Sequence, residues 1–180
     1  MSARDRILDT FEAILASEGE RGATLDAVAA KAGVSKGGLL YHFRNRDALV
    51  DGLLDRLRSF ADEDLARMAA APEGPSAYYL TTSAATGGPF DRTLIATTRL
   101  GVEKHPRAVE TIRGIQKNWF ELLLGEVGDA GIARAIMLMG DGLYYNAAFA
   151  AAPTTDEADL AELVRVLDVL KRGAGVHRSL

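Results

Sequence analysis

Apolar residues recur along this chain with the three-, four- and seven-residue spacing of α-helices, and no segment has the strict alternation typical of a strand. The first such segment predicts an amphipathic helix from about Ala3 to Ser17, closed by a loop over residues 18–22. Its apolar residues are Ile7, Leu8, Phe11, Ile14 and Leu15. Two much shorter periodic segments follow, and then a long one that begins after Asn45. The pattern therefore predicts an all-α protein.

Proline and glycine separate the later helical segments. The breaks fall at residues 72–75, 87–89 and 125–131 and at Pro153, which gives about nine helices in total. The segment from 132 to 152 is the most apolar, yet no window reaches the roughly 18 uncharged apolar residues that a membrane span requires. We therefore expect no membrane partner.

The two short segments between residues 24 and 43 carry their own start and stop signals. Thr24 and Ser35 each precede a segment and are residues that cap helix N-termini. Gly33 lies between them, and glycine enters the left-handed conformation of a tight turn without steric cost. Two short helices joined by such a turn form a helix-turn-helix, whose second helix enters the DNA major groove.

This stretch resembles the N-terminal signature of TetR-family transcriptional regulators over about residues 4–56. The residues that carry the resemblance are Thr24, Ala29, Ala32, Gly33, Val34, Ser35, Leu40, Tyr41, His42, Phe43, Arg46 and Leu49. We place a domain boundary inside the long fourth helix, near residue 50. The expected organisation is a three-helix DNA-binding domain over residues 1–50 and a helical ligand-binding and dimerisation domain over residues 51–180.

The second short helix and its flanks hold the candidate DNA contacts. Lys36 is long enough to reach a base edge or a phosphate, and base readout would rest on Lys36 with Leu39 or Leu40. The resemblance implies phosphate contacts from Tyr41, His42 and Arg46. The full candidate set is Thr24, Ser35, Lys36, Gly37, Gly38, Leu40, Tyr41, His42 and Arg46.

Two points within this set have alternative interpretations. Gly37 and Gly38 each cost about 1 kcal/mol relative to alanine in a helix interior. This fits either a close approach of the backbone to DNA or two tolerated residues at a helix start. Thr24 either caps its helix and also contacts a phosphate, or serves as a cap alone.

The net charge of −4 is unusual for a protein that binds nucleic acid, but it is unevenly distributed. Residues 1–50 contain seven Lys and Arg against seven Asp and Glu, so the deficit lies in the rest of the chain. Lys36, Arg44 and Arg46 cluster at the end of the second short helix, and local clustering matters more than the total. With no cysteine in the chain, we expect a cytoplasmic protein.

The part after residue 51 has two candidate roles. Its last two helices carry enough apolar surface for a homodimeric four-helix bundle, unless both helices are simply central in the monomer. Its aromatic residues and methionines would line a small-molecule cavity, with Arg99, His105 or Asn146 as polar anchors, or else form ordinary core. The candidate ligand-binding set is Tyr78, Tyr79, Phe90, Arg99, Trp119, Phe120, Met137, Tyr144 and Tyr145.

Catalysis finds no support in the sequence. The three histidines are far apart, and the chain has no phosphate-binding loop, nucleophile elbow or metal-ligand spacing. We therefore expect no enzyme, no catalytic residue, no cofactor and no metal. The resulting hypothesis is a dimeric repressor that leaves a palindromic operator of double-stranded DNA when a small-molecule effector binds. The alternatives are a helical module that binds a ligand or protein and no longer reads DNA, and an architectural DNA binder.

Overall fold

A computed structural model describes residues 2–101, 103–149 and 155–177, and every regular element in that part of the chain is a helix. The helices are α1 (Ala3–Gly22), α2 (Leu25–Lys31), α3 (Lys36–His42), α4 (Arg46–Ala70), α5 (Pro75–Ser83), α6 (Pro89–Thr98), α7 (Pro106–Val127), α8 (Ala130–Phe149) and α9 (Glu157–His177). The all-α prediction is confirmed. The predicted break at Pro153 lies outside the described residues.

The first helix is longer than its apolar pattern predicts. It continues to Gly22 instead of ending near Ser17, with a kink at Gly19, where φ is +71°. The prediction of a loop over residues 18–22 is therefore wrong. Glycine takes this positive φ without a Cβ clash, so the chain changes direction and then adds one more helical turn. That last turn contains Glu20, whose backbone and side chain contact Arg46 and Gly101.

The chain divides into two compact units. One unit comprises Met1–Ala61 and Gly88–Gly114, and the other comprises Asp62–Gly87 and Ile115–Leu180. Both α4 and α7 contribute residues to both units. This division follows packing, and the functional boundary near residue 50 remains a prediction.

The first unit is built around α1, which packs against α2, α3 and α6. Phe11 of α1, Leu39 of α3 and Leu53 of α4 are fully buried in its core, together with Val28 of α2. Each short helix thus anchors itself with one or two apolar side chains. Burial of a leucine or phenylalanine stabilises by about 2–3 kcal/mol, which holds α2 and α3 in place although neither is long enough to be stable alone.

A charged cluster joins α6 to α1 and α4 within the same unit. Arg56 donates to Asp9 at 2.6 Å and to Glu12 at 2.9 Å, and the hydroxyl of Thr93 donates to Glu12 at 2.9 Å. Burial raises the pKa of Glu12 despite its pairing with Arg56. The buried carboxylate fixes the register of α6 on α1, because both of these donors reach it across helices.

The second unit packs α5, α8 and α9 against one another. Its core includes Met68, Leu80, Leu123, Ile136 and Leu167, all nearly or fully buried. In the part of the chain that the structure describes, no helix combines the length and the apolar character needed to cross a bilayer.

Candidate nucleic-acid interface

The turn between α2 and α3 has the geometry that its sequence predicts. Gly33 has a φ of +65°, and the N–H of Val34 donates to the carbonyl of Ala29 at 3.1 Å. This hydrogen bond closes the turn after α2. Because residues with a Cβ are strained at positive φ, glycine is required at position 33.

Both predicted N-caps are confirmed. The hydroxyl of Thr24 accepts a hydrogen bond from the N–H of Ala27 at 3.2 Å. The hydroxyl of Ser35 accepts a hydrogen bond from the N–H of Gly38 at 3.0 Å and thereby caps the start of α3. Both cap residues are exposed, so each hydroxyl lies at the protein surface beside its helix N-terminus. The two roles weighed for Thr24 both remain compatible with this position.

The residues of α3 separate clearly into buried and exposed sides. Leu39 is fully buried, and Phe43 after the helix is 3% exposed, so both belong to the core. Leu40 is 37% exposed and Tyr41 is 86% exposed, while His42 lies beside the Tyr41 ring with centroids 5.2 Å apart. The alternative that Leu39 reads bases is therefore excluded by its burial, and Leu40 is left as the apolar candidate.

Lys36 begins α3 and already has a partner within the protein. Its ammonium group lies 2.9 Å from the carboxylate of Asp26 in α2, and both side chains are largely exposed. An exposed pair of this kind contributes little to stability, so Lys36 can exchange Asp26 for another anion at small cost.

The two glycines of α3 have different surroundings. A Cβ at Gly37 would meet only the Ser35 hydroxyl oxygen, at 4.0 Å, whereas one at Gly38 would lie 3.2 Å from that oxygen and 3.9 Å from the Val34 Cβ. Packing within the protein therefore disfavours a larger residue at position 38. Among the described residues nothing accounts for glycine at position 37, where the surface is open.

Arg46, a candidate phosphate contact, is directed toward the protein. Its guanidinium donates to the backbone carbonyl of Glu20 at 2.8 Å and lies 3.6 Å from the Glu20 carboxylate. Its Nε is buried without a hydrogen-bond partner. In this conformation the side chain ties the start of α4 to the end of α1, and its contact with DNA remains a prediction.

Glu20 is the centre of a wider cluster, which we call the Glu20 clamp. Its carboxylate accepts from the N–H of Gly101 at 3.0 Å, contacts the His105 ring at 3.3 Å and lies 3.7 Å from the Lys104 ammonium. Burial acts to raise the pKa of Glu20, but these donors and the positive charge of Lys104 outweigh it and hold the pKa below its ordinary value. The clamp fastens the segment between α6 and α7 to the end of α1.

The candidate ligand-binding residues fall in both units. Phe90 lies in α6 and Arg99 follows that helix, so both belong to the first unit, as does His105 of the Glu20 clamp. The other candidates belong to the second unit: Tyr78, Tyr79, Trp119, Phe120, Met137, Tyr144 and Tyr145. Within that unit Tyr145 is 65% exposed, whereas Met137 is 3% exposed. The ligand-binding role of the set remains a prediction.

Two carboxylates anchor the aromatic residues of the second unit. Asp64 accepts from the Tyr78 hydroxyl and from the Trp119 indole N–H, both at 3.0 Å. Asp141 accepts from the Tyr79 hydroxyl at 2.9 Å, and burial raises the pKa of this carboxyl. These hydrogen bonds satisfy polar groups in a largely apolar region and fix the orientation of the rings.

Tyr79 is packed tightly in this region. It is 5% exposed, its ring lies 5.7 Å from that of Trp119, and it occupies the space where a Cβ on Gly140 would lie. Glycine at position 140 therefore makes room for the tyrosine ring. This contact favours a core role for Tyr79 over an open cavity wall.

Sequence reasoning missed three residues of the interface and its support. These residues are Asp26, which pairs with Lys36, and Glu20 and Gly101 of the Glu20 clamp. The partners of Glu20 at Gly101 and His105 are 81 and 85 positions away, so no local pattern signals them.

The comparisons with known proteins agree with this geometry. Residues 7–53 match the family of bacterial regulatory proteins called the tetR family. The matched range includes all of α2 and α3, the turn between them and the first residues of α4. No curated protein matches the chain in sequence.

Solved structures match over nearly the whole chain. NalD, the secondary repressor of the MexAB-OprM multidrug efflux pump in Pseudomonas aeruginosa, is 21% identical, with a TM-score of 0.68 and coverage of 95% of this chain and 94% of that chain. A member of the TetR family from Streptomyces coelicolor A3 is 24% identical, with a TM-score of 0.62 and coverage of 92% and 98%. The multidrug binding protein EbrR complexed with malachite green is 25% identical, with a TM-score of 0.62 and coverage of 94% and 98%.

These likenesses concern the fold, and they cover the helices beyond the helix-turn-helix as well. Residues 7–53, with the turn at Gly33 and its two caps, thus form a helix-turn-helix that matches the tetR family of bacterial regulatory proteins, and the whole chain shares the all-helical fold of solved TetR-family regulators.

Proposed function

We propose that this protein is a dimeric transcriptional repressor that binds a palindromic operator and leaves it when a small molecule binds. Two copies would pair through α8 and α9, and each would place its α3 in the major groove. The protein would act in the cytoplasm, the compartment of bacterial DNA. The observation that carries the proposal is the exposed surface of α3, with Lys36, Leu40, Tyr41 and His42 and no acidic residue.

Electrostatics support DNA as the partner of this surface. Lys36 and Arg44 are exposed, and His42 ends α3 between them. Phosphate contacts from such residues position a protein on DNA, whereas base contacts specify the sequence. The two reading helices of a two-fold dimer would then contact half-sites about one turn of DNA apart, roughly 34–36 Å, or a multiple of that spacing.

The exposed apolar residues of the second unit support the dimer. Leu138 and Tyr145 on α8 are 63% and 65% exposed, and Val166 and Val169 on α9 are 41% and 60% exposed. Leu138 and Tyr145 are seven residues apart and so lie on one side of α8. Gly142 between them is also exposed and leaves room for a partner helix. Such a set of apolar residues is typical of a surface that another subunit covers.

Two structural relatives support the repressor role and the effector. NalD is a repressor of a multidrug efflux pump, and EbrR is a multidrug binding protein that holds malachite green. Tyr78, Trp119 and Phe120 of this chain are half-buried aromatic residues that a small aromatic effector would contact. The effector would lower DNA affinity to the extent that it prefers the released conformation.

DNA binding by α3 variants tests the proposal. We expect Lys36→Ala and Tyr41→Ala each to weaken binding to DNA from the flanks of the protein's own gene by about tenfold, since each removes one contact to a charged phosphate. Fluorescence anisotropy at about 150 mM salt, with scrambled DNA as competitor, measures the affinity and its specificity. Lys117→Ala in α7, which removes an exposed and likewise paired positive charge from the second unit, is the matched control.

The outcomes separate the candidate functions. Competition-resistant binding that both α3 variants weaken, and the control does not, supports a sequence-specific regulator. Binding without sequence preference and with a steep salt dependence would point to an architectural DNA binder. Wild-type affinity in both α3 variants would mean that α3 is not the reading helix.

A further inference from the structure

We propose that Leu40 is a specificity-determining residue that reads the 5-methyl group of a thymine in each half-site of the operator. The inference rests on the proposed function, in which α3 enters the major groove. It goes further by naming the side chain that discriminates and the chemical group that it recognises.

The composition of α3 limits how the helix can recognise bases. Its residues run Lys36, Gly37, Gly38, Leu39, Leu40, Tyr41, His42. The helix contains no Arg, Asn or Gln to form two hydrogen bonds to a guanine or an adenine, and no Asp or Glu to accept from a cytosine, so Lys36 is its one residue of the types that pair with guanine. The ammonium group of Lys36 is paired with Asp26, and it would have to leave this exposed partner to reach a base. This helix therefore has few side chains that can recognise bases through the donor and acceptor groups of the major groove.

One group in the major groove can be recognised without hydrogen bonds. The 5-methyl of thymine is apolar, and aliphatic side chains discriminate it from the bare C5 position of cytosine. A helix that offers leucine and glycine is suited to this group because the contact depends on shape and removal of water alone.

The burial of the two leucines assigns this role to Leu40. Leu39 is fully buried in the first unit's core, so α3 is already anchored there. Leu40 is 37% exposed and is one of two large hydrophobic residues on α3 that remain exposed, the other being Tyr41. Leu40 is therefore not one of the buried core residues, and part of its side chain lies at the protein surface.

Gly37 makes a close approach possible. It lies three positions before Leu40, on the same side of the helix, and the space where its Cβ would lie is open. The helix surface next to Leu40 is therefore flat. A side chain at position 37 would hold the helix away from the base edges, whereas glycine lets the leucine reach the 3.5–4.0 Å carbon–carbon separation at which dispersion attraction is strongest.

Replacement of single thymines by deoxyuridine tests the inference, because it removes the methyl group and leaves all hydrogen-bonding groups unchanged. The operator is first obtained by selecting DNA from a random-sequence pool with the purified full chain. Each thymine of the selected site is then replaced in turn, symmetrically in both half-sites. We expect one thymine per half-site whose replacement weakens binding by about fourfold for each methyl removed, the change that corresponds to one buried methyl-sized group.

Variants of Leu40 separate base reading from a role in folding. Leu40→Ala should bind thymine and deoxyuridine operators with equal affinity, whereas Leu40→Met, which keeps an apolar side chain, should retain the preference for thymine. A leucine that only supports the fold would lower affinity for both DNAs in equal proportion and leave the thymine preference intact. Thermal unfolding of each variant checks that the chain is folded.

Three results would overturn the inference or its basis. If no deoxyuridine replacement changes affinity, or if Leu40→Ala keeps the wild-type thymine preference, Leu40 does not read a methyl group although the protein is a sequence-specific binder. A selection that returns no preferred sequence would contradict the proposed function itself, and the two failures are thereby distinguishable.

Discussion

Glu20 illustrates how a single side chain can hold distant parts of a fold together. It follows the kink at Gly19, and its carbonyl and carboxylate together receive groups from α4, from Gly101 and from His105. Its side chain is only 16% exposed, so these interactions are partly shielded from solvent. The charge on Glu20 should therefore contribute measurably to stability.

We expect Glu20→Gln to lower the free energy of unfolding by about 1–2 kcal/mol at pH 7, the range for hydrogen bonds to charged groups. Because the pKa of Glu20 is lowered in the folded protein, its stabilisation is present above the unfolded-state value of about 4.5 and is lost as the pH falls through the folded-state value. The difference between wild type and variant should thus shrink below about pH 4.5. Urea unfolding from pH 7 to pH 3.5 measures it.

Glu18→Gln is the matched control for that experiment. Glu18 lies two residues earlier in α1 and forms an exposed pair with Lys31. Exposed pairs contribute about 0–1 kcal/mol, so this variant should remain close to wild type at every pH. Equal stability of Glu20→Gln and wild type at pH 7 would show that the Glu20 clamp does not stabilise the fold.

Among the helices, α3 contains two glycines, which are poor helix formers, although its proposed role in DNA binding requires a helix held in a fixed position. Its N-cap at Ser35 and its buried Leu39 hold it in place, while Gly37 lowers its intrinsic stability. An open surface at Gly37 means that stability and DNA binding should respond in opposite directions when a methyl group is added there.

We expect Gly37→Ala to stabilise the protein by up to about 1 kcal/mol, since alanine is the better helix former and its Cβ meets no close neighbour. The same substitution should weaken DNA binding, because the added methyl group separates α3 from the base edges. Thermal unfolding and anisotropy on the same preparation measure the two effects. Gly114→Ala in α7, where a Cβ also meets nothing, should stabilise without changing DNA affinity. Unchanged DNA affinity in Gly37→Ala would mean that this glycine is a tolerated helix-start residue.

The sequence predicts the elements of the helix-turn-helix well because their signals are local. Thr24, Ser35 and Asn45 each cap a helix through an N–H three residues ahead, and Gly33 acts within a single turn. The sequence does not predict that α1 continues through Gly19, because a glycine surrounded by charged residues is typical of a loop. In the structure this extra turn packs through Glu20 against Gly101, Arg46 and His105, which are distant in sequence.

Over the whole molecule, each unit has its own core, and exposed apolar residues occur on α3, α8 and α9 in the part of the chain that the structure describes. In the proposed function, the exposed surface of α3 binds DNA. The set on α8 and α9 is the one that the proposed dimer would cover.

We expect Val169→Lys to convert the proposed dimer into a monomer, because it places a charge among the apolar residues that the partner would bury. Operator affinity should fall with it, since two linked reading helices bind far more tightly than one. Ala161→Lys, also on an exposed part of α9, is the control and should remain dimeric. Sedimentation velocity gives the oligomeric state, and a Val169→Lys variant that is still a dimer would place the interface elsewhere.

The candidate ligand site was the least predictable part of the molecule. Aromatic residues at helical spacing are compatible with either a core or a cavity wall, and the choice depends on contacts between residues far apart in sequence. Tyr79 and Gly140 illustrate this, since the glycine makes space that the tyrosine ring fills. The hydrogen bond between Trp119 and Asp64 joins residues 55 positions apart, so no local spacing of residues indicates it.

The pair between Lys36 and Asp26 makes Asp26 a built-in counterion. Part of the affinity of a protein for any DNA comes from the salt ions that the DNA releases when a lysine or arginine neutralises one of its phosphates. At the proposed interface, a phosphate that binds Lys36 would have to displace the Asp26 carboxylate, which stays attached to the protein and would then lie near the negatively charged DNA backbone. The repulsion penalises every phosphate equally, so only a site that adds favourable base contacts compensates for it. At the proposed interface a single acidic residue in α2 would thus lower the affinity for random DNA and operator alike, and the base contacts of the operator would have to make up the difference.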